Sequence, residues 1–353
     1  MNKKINILFI FIPISFGFFY FFGNSIWTFI TSAIAIIPLA IKMNYLIDKI
    51  AGFLGSGWGG LLSITFGNTT ELIISLFAIS DGLLSVVKAE ITGSIIMNLL
   101  LVLGLSFFIG GLKRPKQTFD RDIAITNSAM LMLAVTGMLI PAIFYFGSSN
   151  IKTIVLGHLS IGVGIVLFFT YIASLYFTLF IHEKEKSNNQ EKGPKPKHKA
   201  NKKQVYKYII YLLIDTAFIA LVANILVDSI KELSDSFAIS PVFIGVIILP
   251  IIANVAENFT AINMAHLDNI NLSINIAVGS SIQVALFLVP LLIFISHIIG
   301  QPMNVLFNIL EISSIALSVL AINIVYLQGK SNWFEGLQLC AAYLIIAIAF
   351  FFA

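Results

Sequence analysis

The sequence predicts an all-α integral membrane protein of about 11 transmembrane helices, built as two inverted five-helix repeats preceded by one N-terminal helix. Three observations predict it. Of the 353 residues, 58% are hydrophobic and only 11% charged, with a mean hydropathy of +0.96, which is incompatible with a soluble surface. Apolar runs of the ~20 residues needed to cross a ~30 Å hydrocarbon core as helix recur along almost the whole chain, without the alternation that a barrel requires. The stretch Gly67 to Ile79, GNTTELIISLFAI, also returns in part 186 residues later, where Asn68 falls on Asn254, Glu71 on Glu257, Gly93 on Gly279 and Ser94 on Ser280.

Charge, glycine, proline and turn clusters punctuate the chain into spans at 5–22, 27–47, 58–80, 84–111, 123–146, 152–181, 205–230, 238–265, 272–299, 303–327 and 333–352. The first opens on Lys3 and Lys4 and lacks an A-x-A cleavage pattern, so it reads as a retained helix within residues 1–25 rather than a signal peptide. Residues 26–181 then form the first repeat and 204–353 the second. Between them, 182–203 carries eight Lys against three Glu together with Gly193, Pro194 and Pro196, the composition of a polar linker.

Basic loops stay on the cytoplasmic side. With the N-terminus inside, Lys3/Lys4, the group Lys113, Arg114, Lys116 and Arg121, and the linker all fall on that side. The formal charge of +4 is thereby explained by topology, and no nucleic-acid partner is expected. Five spans per repeat force the second copy to start from the opposite side. Inverted repeats with matching polar, interrupted segments point to a secondary transporter whose site lies near the bilayer midplane.

An acid in the middle of a span costs at least ~2.5–3.5 kcal/mol on insertion scales, so Glu71 and Glu257 demand a function or a partner. Each follows an asparagine by three residues, which places a carboxylate and an amide oxygen on one helix face. Two such faces, with hydroxyls and freed backbone carbonyls, supply the six to eight oxygen contacts that calcium takes. Protons compete for the same carboxylates, and that competition is the minimum machinery of an antiporter. Ser94 and Ser280 add matched hydroxyls beside Gly93 and Gly279, residues suited to close helix approach. Asn98 and Gln283 lie one turn further on. The expected cation-holding set is therefore Glu71, Glu257, Asn68, Asn254, Ser94, Ser280, Gln283 and Asn98. Gly67 and Pro250 predict breaks beside the acids.

Other acids within spans carry weaker expectations. Glu90 with Lys88 reads as a solvated mouth, while Asp215, Asp228 and Glu311 lack a match in the other repeat. The single cysteine, Cys340, excludes an internal disulfide, and no nucleophile and base set suggests an enzyme. Gly55 to Gly60 lacks the strand, lysine and hydroxyl of a nucleotide loop. No cofactor is expected beyond the transported calcium and protons. The basic loops and polar helix faces are compatible with a homo-oligomer in the lipid bilayer, without singling out an interface.

Ala35-Ile36-Ile37-Pro38-Leu39-Ala40, Gly59 to Leu62, GNTTELIISLFAI at 67–79 and GSIIMNLLLVLGLSFFIGGL at 93–112 resemble the first half of the calcium/proton exchangers of the cation/calcium exchanger superfamily; PIIANVAE at 250–257 and GSSIQVALFLVP at 279–290 resemble the second. The resemblance spans roughly residues 33–350. It implies a ten-helix core of two inverted repeats, usually with one extra N-terminal helix, working by alternating access without ATP. It also implies that Glu71 and Glu257 bind calcium and exchange it for protons, exporting calcium from the cytosol across the plasma membrane. Two positions depart from the family pattern in the second motif: Ala253 stands where a glycine is usual, and Asn258 where a histidine is usual. Met97 likewise replaces a common glycine. Exchange of sodium for calcium, or transport of another divalent cation, is the alternative on the same fold.

Overall fold

A computed structural model describes residues 3–54, 56–147, 153–177 and 202–353. The linker 182–203 lies outside the described residues apart from its end, where Lys202 opens a helix. The chain is helical almost throughout. Among the described residues nine helices are long and apolar enough to cross a membrane, and a bent pair, Pro241–Ala253 with Val255–His266, makes a tenth. The expected eleventh, 58–80, consists of two helices of 11 and 12 residues, α4 (Ser56–Phe66) and α5 (Thr69–Ser80), each shorter than a span.

Before these come α1 (Lys3–Leu8), α2 (Phe11–Phe22) and α3 (Ile26–Leu54). The first half continues through α6 (Leu84–Ile96), a π-helical turn at Met97–Val102, α7 (Leu103–Lys113), α8 (Arg121–Gly147) and α9 (Thr153–Tyr176). The second half runs α10 (Lys202–Asp228), α11 (Ile230–Phe237), α12 (Pro241–Phe243), a π-turn at Ile244–Ile248, α13 (Leu249–Ala253) and α14 (Val255–His266). It then runs α15 (Ile270–Gln283), a π-turn at Val284–Leu288, α16 (Val289–Ile299), α17 (Ile309–Gln328) and α18 (Trp333–Phe352). A two-residue ladder pairs β1 (Gln117–Thr118) with β2 (Lys330–Ser331).

The repeat is written into the element boundaries. Adding 186 to the limits of α5, 69 and 80, gives 255 and 266, the limits of α14; adding it to those of α7, 103 and 113, gives 289 and 299, the limits of α16. The starts of α6 and α15, 84 and 270, obey the same offset.

The chain divides into two compact units, Met1–Phe77 with Phe169–Leu233 and Ala78–Phe168 with Ser234–Ala353, so each draws on both halves of the sequence. In the first unit α2, α3 and α10 pack together. Asp215 is fully buried on α10, and the Lys42 ammonium of α3 lies 3.1 Å from its carboxylate and 5.6 Å from the centre of the Phe9 ring. The charge that the sequence leaves unexplained at Asp215 is thus neutralised by an ion pair between helices.

In the second unit every residue from Ile91 to Leu100 is buried. Here α6 crosses the π-turn at Ile244–Ile248 at backbone distance. A Cβ on Gly93 would strike the Val246 carbonyl, and one on Gly245 would lie 2.6 Å from the Ala89 methyl. Gly93→Ala and Gly245→Ala are each expected to destabilise by about 1–3 kcal/mol through overpacking. Gly279→Ala is expected to leave the thermal midpoint in detergent unchanged, since no atom lies within 4 Å of a Cβ there. The shared role for the two repeat-matched glycines is corrected accordingly: Gly93 is a packing glycine and Gly279 is not.

One further acid is corrected and another acquires a structural role. Glu90 is 2% exposed rather than placed in a solvated mouth, and Lys88 turns inward, donating to the Asn304 carboxamide at 2.6 Å and the Leu306 carbonyl at 2.8 Å. Glu311 closes a capping box at the start of α17. Its carboxylate accepts from the Asn308 N–H at 2.7 Å while the Asn308 side chain accepts from the Glu311 N–H at 2.8 Å.

Candidate functional site

Both acid-bearing segments are broken at the asparagine. After α4 ends at Phe66, Gly67 N–H still donates to the Ser63 carbonyl at 2.9 Å; α5 then starts anew at Thr69, with Leu72 N–H bonded to the Asn68 carbonyl at 3.0 Å. In the second half Asn254, at φ −99° and ψ 10°, separates α13 from α14, and the Asn258 N–H reaches its carbonyl at 2.9 Å. The chain bends there by 65°. Gly67 accounts for the first break, because glycine lowers helix stability; the donor that Pro250 lacks would have reached residue 246, so the proline acts at the 244–248 π-turn that precedes the second break.

The break sets the electrostatics. Glu71 and Glu257 are each the third residue of the helix that begins after it, within the first turn. Exposed N–H groups and the positive end of the helix dipole favour a carboxylate at that place by roughly 0.3–1 kcal/mol. A helix that ran unbroken would bury the acid without this support.

Within the second unit the expected residues come together in pairs. Ser280 on α15 donates a short hydrogen bond to the Glu257 carboxylate, and the Asn254 carboxamide donates to the Ser94 hydroxyl and the Pro250 carbonyl, each at 3.2 Å. Asn98 lies in the π-turn that follows α6, 1% exposed, and its amide nitrogen has no hydrogen-bond partner among the described residues. Gln283 is half-buried at the end of α15, directly before the π-turn at 284–288. Asn68 and Glu71 belong to the other compact unit and are buried there, 6% and 1% exposed. Neither polar atom of the Asn68 carboxamide has a hydrogen-bond partner among the described residues. Carboxylate, amide and hydroxyl oxygens beside interrupted backbone are the ligand chemistry of a hard cation.

Two features escape sequence reasoning. The π-turns at 97–102 and 284–288 follow the matched serines in nearly the same register, and Asn98 lies within the first of them; such bulges are frequent at functional sites. Asn258 and Met97, two of the departures from the family pattern, meet: the Asn258 amide lies 3.6 Å from the Met97 sulfur. They form one coupled difference.

A membrane chain whose described residues are almost wholly helical, with two broken, acid-bearing helices in matched register, defines a membrane cation exchanger. The chain belongs to the sodium/calcium exchanger protein family, whose model matches residues 24–180 and again 207–352, once in each half. It is 40% identical to the Ca(2+)/H(+) antiporter of Aphanothece halophytica over 98% of this chain and 95% of that protein. To the Ca(2+)/H(+) antiporter of Synechocystis sp. it is 37% identical over 99% and 98%. Among solved structures, native YfkE superposes with a TM-score of 0.84 at 35% identity, covering 99% of this chain and 100% of that one.

Proposed function

We propose that this chain is a calcium/proton antiporter that exports calcium from the cytosol across the cell membrane, driven by the proton gradient. The observation that carries the reading is the Glu257 carboxylate, set in the first turn after the Asn254 break and hydrogen-bonded by Ser280, with Asn254 tied to Ser94. Glu257 and Glu71 hold calcium or protons in turn, and exchange follows because one carboxylate oxygen cannot serve both at once. Asn254, Ser94, Ser280, Asn98 and Gln283 supply neutral oxygens to an ion held at Glu257, and Asn68 supplies one to an ion held at Glu71. The full-length likeness to two Ca(2+)/H(+) antiporters supports calcium and protons as the exchanged pair.

In everted membrane vesicles holding an acidic interior, calcium added outside should collapse the proton gradient, read with a pH-sensitive dye in sodium-free buffer. A response that appears only when sodium is present would reassign the chain to sodium-coupled exchange.

A further inference from the structure

We propose that the end of the second compact unit bearing Lys113, Arg114, Lys116 and Arg121 contains a buried water-holding chamber, formed by Ser106, Gln117, Ser273, Tyr326 and Ser331, that leads water along α15 toward Ser280. All five side chains are at most 3% exposed, and among the described residues the side-chain polar atoms of none of them have a hydrogen-bond partner. Buried polar atoms are almost always paired with protein or with ordered water, so orphans of this kind, with Ser106, Gln117 and Ser331 gathered about Gly110 and the ladder, are where ordered water is expected.

The fold gathers them. The Gln117 carboxamide lies flat against Gly110 of α7, where a Cβ would collide with its nitrogen, and Ser106 sits one turn earlier on that face. Ser331 is the ladder partner of Gln117. The Tyr326 ring packs on Phe119 at 5.8 Å, and the Phe119 N–H donates to the Gly329 carbonyl at 3.2 Å. α15 is tied to this end of the unit by Asn271, whose carboxamide accepts from the Asp120 N–H at 2.8 Å, and Ser273 is buried about half a turn further along it. From Ser273 to Ser280 is seven residues of one helix, two turns and about 10.5 Å, on a common face.

The other half shows that the architecture does not need three of these polar groups. Ser106 plus 186 is Leu292, and Ser273 minus 186 is Val87, both fully buried. Gln117, the fourth residue after α7, has as its counterpart Met303, the fourth after α16 and 1% exposed. At that end the corresponding contact is closed: the Met303 N–H donates to Ser296, the equivalent of Gly110, at 2.9 Å. At these three positions one end of the unit carries Leu, Met and Val, and the other Ser, Gln and Ser. The five side chains are neutral and all but one combine donor and acceptor in a single hydroxyl, the pattern that water satisfies.

What the water serves rests on the proposed exchange function; its presence does not. The test is radiolytic hydroxyl-radical footprinting of the full chain in detergent, which labels side chains beside bound water, combined with calcium uptake in vesicles. Tyr326 should label in the wild type, and labelling should fall roughly threefold or more in Ser106→Leu/Gln117→Met/Ser273→Val, which installs the residues of the opposite end. Gln117→Met alone, nearly isosteric, should lower it in the same direction if the triple variant fails to fold. Calcium uptake by the folded variants should slow by about tenfold, as an access step becomes limiting. Wild-type labelling of Tyr326 no greater than in the variants overturns the chamber. Loss of labelling with an unchanged uptake rate overturns the route. A wild type that labels at Tyr326 but moves no calcium under a pH gradient would count against the exchange function and leave the chamber standing.

Discussion

Glu257→Gln and Glu71→Gln are each expected to abolish calcium transport, lowering uptake at least ~100-fold, because charge count among the oxygen ligands is what sets affinity for a divalent cation. Glutamine keeps the size of the side chain and one oxygen acceptor, so Ser280 can still donate to residue 257 and the packing around α15 survives. On the proposed mechanism it removes the negative charge that offsets the dehydration of calcium, and it removes the oxygen that a proton occupies in the return half of the cycle. Both half-reactions therefore fail together. The variants should express and fold as the wild type does, while the calcium-dependent rise in thermal midpoint disappears. Glu335→Gln, which alters only the capping box that opens α18, should transport normally. Normal uptake by either site variant would remove that glutamate from the mechanism.

Lys42→Met is expected to be the most destabilising single change in the first compact unit, costing about 3–5 kcal/mol, because it strands a charged Asp215 that is 0% exposed. Asp215→Asn should cost clearly less. Lys42 is 33% exposed along its side chain and can snorkel its ammonium toward water once the carboxylate is gone. Replacing both, Lys42→Met with Asp215→Leu, should recover most of the loss, since an apolar pair of similar volume avoids the desolvation of two charges. Chemical unfolding in detergent micelles across these three variants reads the coupling directly. Equal losses from the two single changes, with no recovery in the double, would show that the pair is not the neutralising contact it appears from its 3.1 Å geometry.

The class of fold and the location of the acids are legible in the sequence because both follow from large energies. A glutamate in a run such as Glu71 to Ile79 is too costly to be incidental, and an asparagine three residues before it, repeated at Asn254 and Glu257, marks a shared face. The first break follows from Gly67, whose backbone preference is local. The π-turns are not legible, because Met97 to Val102 and Val284 to Leu288 are ordinary helix formers and the shift to i→i+5 bonding is set by tertiary packing around them. Gly93 and Gly279 look identical along the chain, yet only the first meets a backbone carbonyl, a distinction that exists only once α6 is laid against residues 244–248. Glu90 misled for the opposite reason. Its position near a helix start suggests solvent, whereas it is buried and Lys88 beside it anchors the loop before α17.

Exchange of calcium for protons is tested most directly by radiolabelled calcium uptake into proteoliposomes of the purified chain, with pH and sodium gradients imposed separately. Uptake should follow an acidic interior, proceed without sodium, and vanish when the pH difference is collapsed. Uptake that ignores the pH difference and requires a sodium gradient would contradict it.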